Sequence, residues 1–378
     1  MKIVISPDSY KGSLSATEVA RAVSNAIHEV DPSIETVLLP VADGGEGTLE
    51  PLVIATGGTF VTATVQDPLG KQIEAVYGVL GDKETCVIEM ARASGLTLLS
   101  QDERNPLKTS TFGTGELIRH ALDQGFRKFI VGIGGSATND GGAGMLRALG
   151  VEFRNKVKEE IQAGGGSLVN LEEIDISRMD KRIQSSQFIL ACDVDNPLLG
   201  KNGATAVFGP QKGVTPQMED QLENGLKNLA NKIAEVKGIR VHQMPGAGAA
   251  GGLGGAFLAL FPVQLKPGIE VVMEAIQFEK SLEDADLVIT GEGKTDRQTL
   301  SGKAPMGVAV AANKRGIPVI LLSGFIEKES KVDLSTYFSK LVSIVDHSVS
   351  MEESLKDPVH YLTVRTKETM QAILKEEV

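Results

Sequence analysis

Both ends of the chain repeat one pattern: a short β-branched run, a loop of glycines or carboxylates, then residues at helical spacing. Residues 2–6 form a run suited to a buried strand. After a loop over 7–14, Ser15-Ala16-Thr17-Glu18 places serine and glutamate as a capping box. Val19, Val23, Ala26, Ile27 and Val30 then recur at helical intervals, and Asp31-Pro32 closes that helix. Residues 36–41 read as a second strand and 48–55 as a second helix. The order returns late in the chain, with strands over 287–290, 319–322 and 341–345 and helices over 306–314 and 364–374. Such alternation requires a mostly parallel, Rossmann-like sheet with right-handed crossovers, so the expected class is α/β.

The middle of the chain reads differently. Residues 59–65, 71–80 and 84–89 look like antiparallel strands, joined by turns at Asp67-Pro68-Leu69-Gly70 and Gly81-Asp82. Helices follow over 117–122, 141–149 and 218–236, with strands over 129–133 and 188–191. The 378 residues suit two domains of roughly 150 each. We expect a discontinuous Rossmann-like domain from 1–59 and 265–378, with a mixed α/β domain, 60–264, inserted into it.

Charge narrows the partners. Thirty-eight basic against 49 acidic residues leave a net charge of −11, the opposite of a nucleic-acid footprint. Aromatics are 4% with no Trp, which argues against base stacking. Anionic small molecules remain open, because local loops can be electropositive in an acidic chain. Cys86 and Cys192 show no metal spacing, which suits a reduced intracellular protein. The N-terminus turns polar too soon for a signal peptide, and no apolar run approaches the ~18 residues of a membrane helix. The expectation is a cytoplasmic protein without membrane or nucleic-acid partners, compatible with a homo-oligomer.

In parallel sheets, ligands sit beyond the carboxyl ends of the strands. Asp8, Ser9, Lys11 and Gly12 follow the first strand, and Asp43 to Gly47 the second. Gly134, Gly135, Ser136, Ala137, Thr138, Asn139, Asp140, Gly141 and Gly142 follow 129–133. Asp193, Asp195 and Asn196 follow 188–191, and Gly291, Glu292, Gly293, Lys294 and Asp296 follow 287–290. Glycine admits phosphate oxygens to backbone N–H groups, and the next helix start adds positive dipole. Carboxylates hold Mg²⁺ or accept a hydroxyl proton. Glycine nests, carboxylates and lysines together are the parts of phosphoryl transfer. The competing reading of the 134–142 loop is a tight turn with Asn139 or Asp140 capping the next helix. Residues 109–116 offer four hydroxyls and two glycines before a helix, either for an anion or as an N-cap at Thr114.

Other motifs fail. Gly246 to Gly251 spells G-x-G-x-x-G, but Pro245 precedes it and no clean βαβ unit follows, so close packing is the plainer use. A P-loop ending in Gly293-Lys294-Thr295 needs glycine at 288, where Val288 stands, and Gly302-Lys303 is followed by alanine. The five histidines show no metal spacing, and no G-x-S-x-G elbow supports a serine hydrolase.

Several long strings, in order, resemble the bacterial glycerate kinases that have neither a P-loop nor a ribokinase fold. They include Pro7-Asp8-Ser9-Tyr10-Lys11-Gly12-Ser13, Ala42-Asp43-Gly44-Gly45-Glu46-Gly47-Thr48, Arg104-Asn105-Pro106-Leu107 and Gly113-Thr114-Gly115-Glu116-Leu117. The 132–142 loop, Asp193 with Asn196-Pro197-Leu198, Phe208-Gly209-Pro210-Gln211-Lys212-Gly213, residues 245–252 and Thr290-Gly291-Glu292-Gly293 with Asp296 and Gln298 complete the set. Lys294 stands where the family often has arginine. The resemblance spans essentially the whole chain. It implies ATP- and Mg²⁺-dependent phosphorylation of D-glycerate, usually to 2-phosphoglycerate, and two α/β domains, one inserted in the other, with the active site in the cleft between.

Roles follow from chemistry. Asp296, or else Asp193, would accept the hydroxyl proton, and Lys11 and Lys294 would neutralise the transferring phosphoryl group. Asp8 and Asp43 would hold Mg²⁺, with Asp8 also near substrate. Gly134, Gly135 and Ser136 would cradle phosphates, joined as nucleotide contacts by Asn139, Gly141, Thr114, Gly291 and Gly293. Arg104 would pair the glycerate carboxylate, with Asn196 beside it. A phosphatase or isomerase would turn over without ATP, and a metabolite-binding regulator would yield no ATP-dependent product. Residue chemistry alone does not choose between the 2- and 3-hydroxyls.

Overall fold

The computed structural model describes residues 1–42 and 47–376. The chain forms two compact units. One comprises Met1–Asp43, Glu50–Thr56 and Ile269–Val378; the other comprises Gly44–Leu49 and Gly57–Gly268.

The first unit is built on a five-stranded, wholly parallel sheet. Its order is Lys340–Ser343, Val319–Ser323, Leu287–Thr290, Lys2–Ile5, Glu35–Leu38. The alternation of side chains explains why these runs are apolar throughout. Ile3, Ile5, Leu287, Ile289, Ile320 and Leu322 join one core with Val19, Val23 and Ile27 of helix Ala16–Val30 and with Leu362 and Met370 of helix Pro358–Glu376. Val4, Val288 and Leu321, which point the other way, are equally buried. A sheet covered on both faces needs such continuous runs. The first helix starts as its sequence dictates: Glu18 accepts the Ser15 N–H at 2.8 Å, and Ser15 Oγ accepts the Glu18 N–H at 3.3 Å.

The second unit holds a six-stranded mixed sheet, ordered Val263–Lys266, Gln187–Ala191, Lys128–Gly132, Thr85–Glu89, Gln72–Val79, Thr59–Gln66. The first four strands are parallel and the last two turn back antiparallel. Thr85–Glu89, expected in an antiparallel meander, thus serves both halves: it pairs antiparallel with Gln72–Val79 and parallel with Lys128–Gly132. Val263–Lys266 is only four residues long, too short for its Val-Gln-Leu-Lys alternation to announce it. Phe129 stacks on Phe188 at 4.7 Å, and Phe257 and Phe261 close over that pair. The architecture is mixed α/β with mostly parallel sheets, as the sequence requires.

Candidate active site

In the first unit, the loops after two adjacent parallel strands lie on each other. The Asp8 N–H donates to the Gly291 carbonyl at 2.8 Å, and the Tyr10 hydroxyl to the Leu322 carbonyl at 2.7 Å. Gly291 is there because a Cβ would run into that Leu322 carbonyl; at Gly293 it would crowd Lys11 N at 3.1 Å. Both glycines, expected as nucleotide contacts, therefore serve close loop packing. That packing gathers Asp8, Lys11, Gly291, Gly293, Lys294 and Asp296 around one strand-end region. The Asp8 side chain is 7% exposed and accepts the Ser9 N–H at 2.6 Å, whereas Lys11 is exposed.

Two residues of this region were not among the expected ones. Glu292 is buried and accepts the hydroxyls of Thr299 at 2.5 Å and Thr295 at 3.0 Å. Lys303 stands 3.9 Å from Glu292 and 4.0 Å from Asp296. Glu292 was legible as a strand-end carboxylate and in the Thr290–Gly293 string but was given no role, and Lys303 was set aside because its setting fails the P-loop pattern. Burial pushes the Glu292 carboxyl up despite the two hydroxyls and Lys303. Desolvation also raises Asp296, but the Gln298 N–H, Lys303 and Lys294 outweigh it and hold that carboxyl below its usual range. Lys294 reaches Glu327 at 3.1 Å and Asp296 at 3.5 Å, and the Glu327 bond raises its ammonium above the ordinary lysine range. The arrangement is an ionised carboxylate flanked by two ammonium groups. Asp43, expected as a metal ligand, lies outside the described residues.

In the second unit, the 134–142 loop follows strand Lys128–Gly132. Its backbone is pinned to the segment beside it: the Leu96 N–H donates to the Gly135 carbonyl and the Ala137 N–H to the Ser94 carbonyl, each at 2.9 Å. Gly134 and Gly135 are half-buried at its tip, and Ser136 is buried. Behind them lies Lys212, which sequence reasoning placed in a matching string but gave no role. It is 1% exposed, and its ammonium donates to Ser136 Oγ and to the Thr138 carbonyl, both at 2.7 Å. Desolvation pushes it down to about 7, opposed by the charge of Asp140. Thr138 Oγ1 and Asn139 Oδ1 are buried without a partner among the described residues, as is Nε of half-buried Arg104. Asn139 spends its amide on Thr205 Oγ1 at 3.0 Å. The Arg104 carbonyl lies against Gly213, next to Lys212.

Three residues in and beside this loop have evident structural partners. Asp140 is the capping residue: its carboxylate accepts N–H groups from Gly142 and Gly144 at the start of helix Ala143–Ala148, and the N–H and hydroxyl of Thr111. By binding Thr111 it draws the other helix start upstream, so that helix runs Phe112–Asp123 and Thr114 lies inside it. Thr114 is buried with its hydroxyl 2.8 Å from Ser94 Oγ, so it supports the loop from behind. Gly141, expected at a phosphate, has φ +61°, and a Cβ would crowd Leu226 and Leu229; it packs the loop onto helix Pro216–Lys237. The Gly246–Gly252 run also packs, as its composition suggested: the Gly251 carbonyl accepts the Gly141 N–H at 3.0 Å.

Asp193 is exposed, and its Oδ1 accepts the Gly268 N–H at 2.8 Å. Asn196 donates its side-chain amide to the Asn202 carbonyl at 2.9 Å, and its backbone carbonyl accepts the Gly248 N–H. Neither is as concentrated in charge as the Asp296 region.

The sequence pattern defining the glycerate kinase family matches residues 3–374. The chain is 48% identical to the glycerate kinase of Bacillus subtilis (strain 168), over 99% of this chain and 98% of that one. It is 49% identical to the glycerate 2-kinase of Escherichia coli (strain K12), over 91% of each. A crystal structure from Salmonella typhimurium LT2, attributed to a glycerate kinase 2, superposes with a TM-score of 0.90 at 46% identity, covering 100% of this chain and 99% of the other. With an α/β frame and strand-end loops rich in lysine, carboxylate and glycine, this chain is a phosphotransferase acting on an alcohol group, and it belongs to the glycerate kinase family.

Proposed function

We propose that the protein transfers the γ-phosphoryl group of ATP to the 2-hydroxyl of D-glycerate, giving 2-phosphoglycerate and ADP. The observation that carries the position of transfer is the 49% identity to a chain named for the 2-kinase reaction. The glycerate oxygen forms the new P–O bond, the bond to the bridging oxygen of ADP breaks, and the hydroxyl proton passes to Asp296. A carboxylate held below its usual range is a weak base. In a loose phosphoryl-transfer transition state the hydroxyl proton leaves late, so positioning counts for more than basicity. Each of Asp296 and Asp193 has one oxygen engaged by a backbone N–H, and Asp296 is preferred because two lysines stand beside it.

Lys294 and Lys11 neutralise charge on the transferring group, and Lys303 holds Asp296 ionised. Gly134, Gly135 and Ser136 take phosphate oxygens. Arg104 pairs the glycerate carboxylate; its buried Nε without a partner supports that role. Mg²⁺ suits this donor set. The described residues hold no group of three metal-ligating side chains, and Mg²⁺ is commonly held by one or two carboxylates together with substrate phosphates. Asp8 is the described residue that would hold it, and when bound it would offset phosphate charge.

The test is direct. Purified protein with D-glycerate, ATP and Mg²⁺ should give the phosphorus resonance of 2-phosphoglycerate. A 3-phosphoglycerate signal would overturn the position of transfer, and unchanged ATP would overturn the substrate.

A further inference from the structure

The buried ammonium of Lys212 fixes the direction of a hydrogen bond. Its contact with Ser136 Oγ, at 2.7 Å, uses a lone pair of that hydroxyl. A serine hydroxyl has one proton to give. With the ammonium donating to it, Ser136 keeps that proton for another acceptor, and no described residue takes it. A neutral amine behaves in the opposite way. It has a lone pair, the Ser136 hydroxyl can turn and donate to it, and the proton is then lost to any ligand. The second contact, to the Thr138 carbonyl at 2.7 Å, keeps the amine in place in either state, because an amine still has N–H groups to donate.

We propose that Lys212 is a positioning residue that acts through Ser136: its buried ammonium commits the Ser136 hydroxyl to donate toward a phosphate oxygen of ATP. The proposal rests on the reading of Gly134–Ser136 as the phosphate loop. Lys212 is 1% exposed, so it acts from behind the loop, through a neighbour. The unpartnered buried oxygens of Thr138 and Asn139 beside it mark a polar wall that the protein's own groups do not saturate. One charged group bears on it: Asp140, on the loop itself, favours the ammonium.

The consequence is a pH dependence of a particular sign. The ammonium is present below its pKa and lost above it, and burial brings that crossing down to about 7. ATP affinity should therefore fall as pH rises through the neutral range, by roughly tenfold if one charge-assisted contact is at stake. The measurement is titration calorimetry with Mg²⁺-ATP, without glycerate, from pH 6 to pH 9, on wild type and Ser136→Ala. ATP's own titration is common to both and cancels in the ratio. The expected result is a weaker Ser136→Ala whose affinity relative to wild type recovers toward unity at high pH. Lys212→Met should behave like Ser136→Ala and add little to it in the double variant; a merely structural lysine would give additive losses and leave the ratio flat. A pH-independent ratio, with Ser136→Ala weaker throughout, would overturn the role of Lys212 alone. Ser136→Ala binding ATP as tightly as wild type at every pH would overturn the phosphate-loop reading as well. Should Lys212→Met fail to fold, the comparison of wild type with Ser136→Ala still decides.

Discussion

Asp296 and Glu292 lie four residues apart, share Lys303 and have opposite protonation preferences. The difference is one of solvent and donors. Asp296 has two ammonium groups and a backbone N–H, whereas Glu292 is buried with two hydroxyls and Lys303 alone. If Asp296 accepts the substrate proton, Asp296→Asn should lower kcat by about 10²–10⁴-fold with KM for ATP little changed, measured by coupled ADP release. Glu292 serves a different end, holding Thr295 and Thr299 so that Lys303 and Asp296 stay in register. Its raised carboxyl binds a proton more tightly when folded than when unfolded. The folded state is therefore favoured at low pH, and that advantage fades as pH rises through the window between its ordinary and raised values. Glu292→Gln, which keeps the hydroxyl contacts, should consequently gain in melting temperature relative to wild type between pH 4 and pH 8. A difference independent of pH would show that the carboxyl pays no burial penalty.

At the scale of elements, glycine decides how closely strand-end loops approach. Gly291→Ala should destabilise the first unit by about 1–3 kcal/mol, as overpacking does, seen as a lower urea midpoint with unchanged slope. The loss follows from the collision with the Leu322 carbonyl. The elements themselves were readable in the sequence because their signals are local: the capping box at Ser15, the apolar runs at residues 2–6, 287–290 and 319–322, and the helical spacing after each. The loops were readable as places where function collects. What each glycine does there was not, because Gly141, Gly291 and Gly293 are required by segments up to roughly 300 residues away in the chain, and sequence shows no such neighbour. Thr114 illustrates the same limit. Its position relative to a helix start depends on Asp140, 26 residues downstream, which draws the start to Phe112. Lys212 was invisible as a site residue because a lysine reads as solvated until a fold buries it.

For the whole molecule, the acidic balance of −11 sets the background against which anionic substrates bind. Attraction has to be local, because at physiological salt charges are screened beyond ~8 Å, and in the first unit Lys294 and Lys303 flank Asp296. None of the described helices is long and apolar enough to cross a membrane. The order of strands carries a further consequence. Lys2–Ile5 is flanked in its sheet by Glu35–Leu38 and by Leu287–Thr290. Its second partner is translated only after the whole inserted unit, at roughly 5–20 residues per second a wait of about 15–60 s. During that interval the nascent chain carries an apolar strand with an open edge, while the unit ending at Gly268 can already close its own sheet. The half-sheet of Lys2–Ile5 and Glu35–Leu38 is thus the part of the fold left open longest during synthesis, and a chaperone that shields it while the inserted unit is made would protect this chain more than one that acts after release.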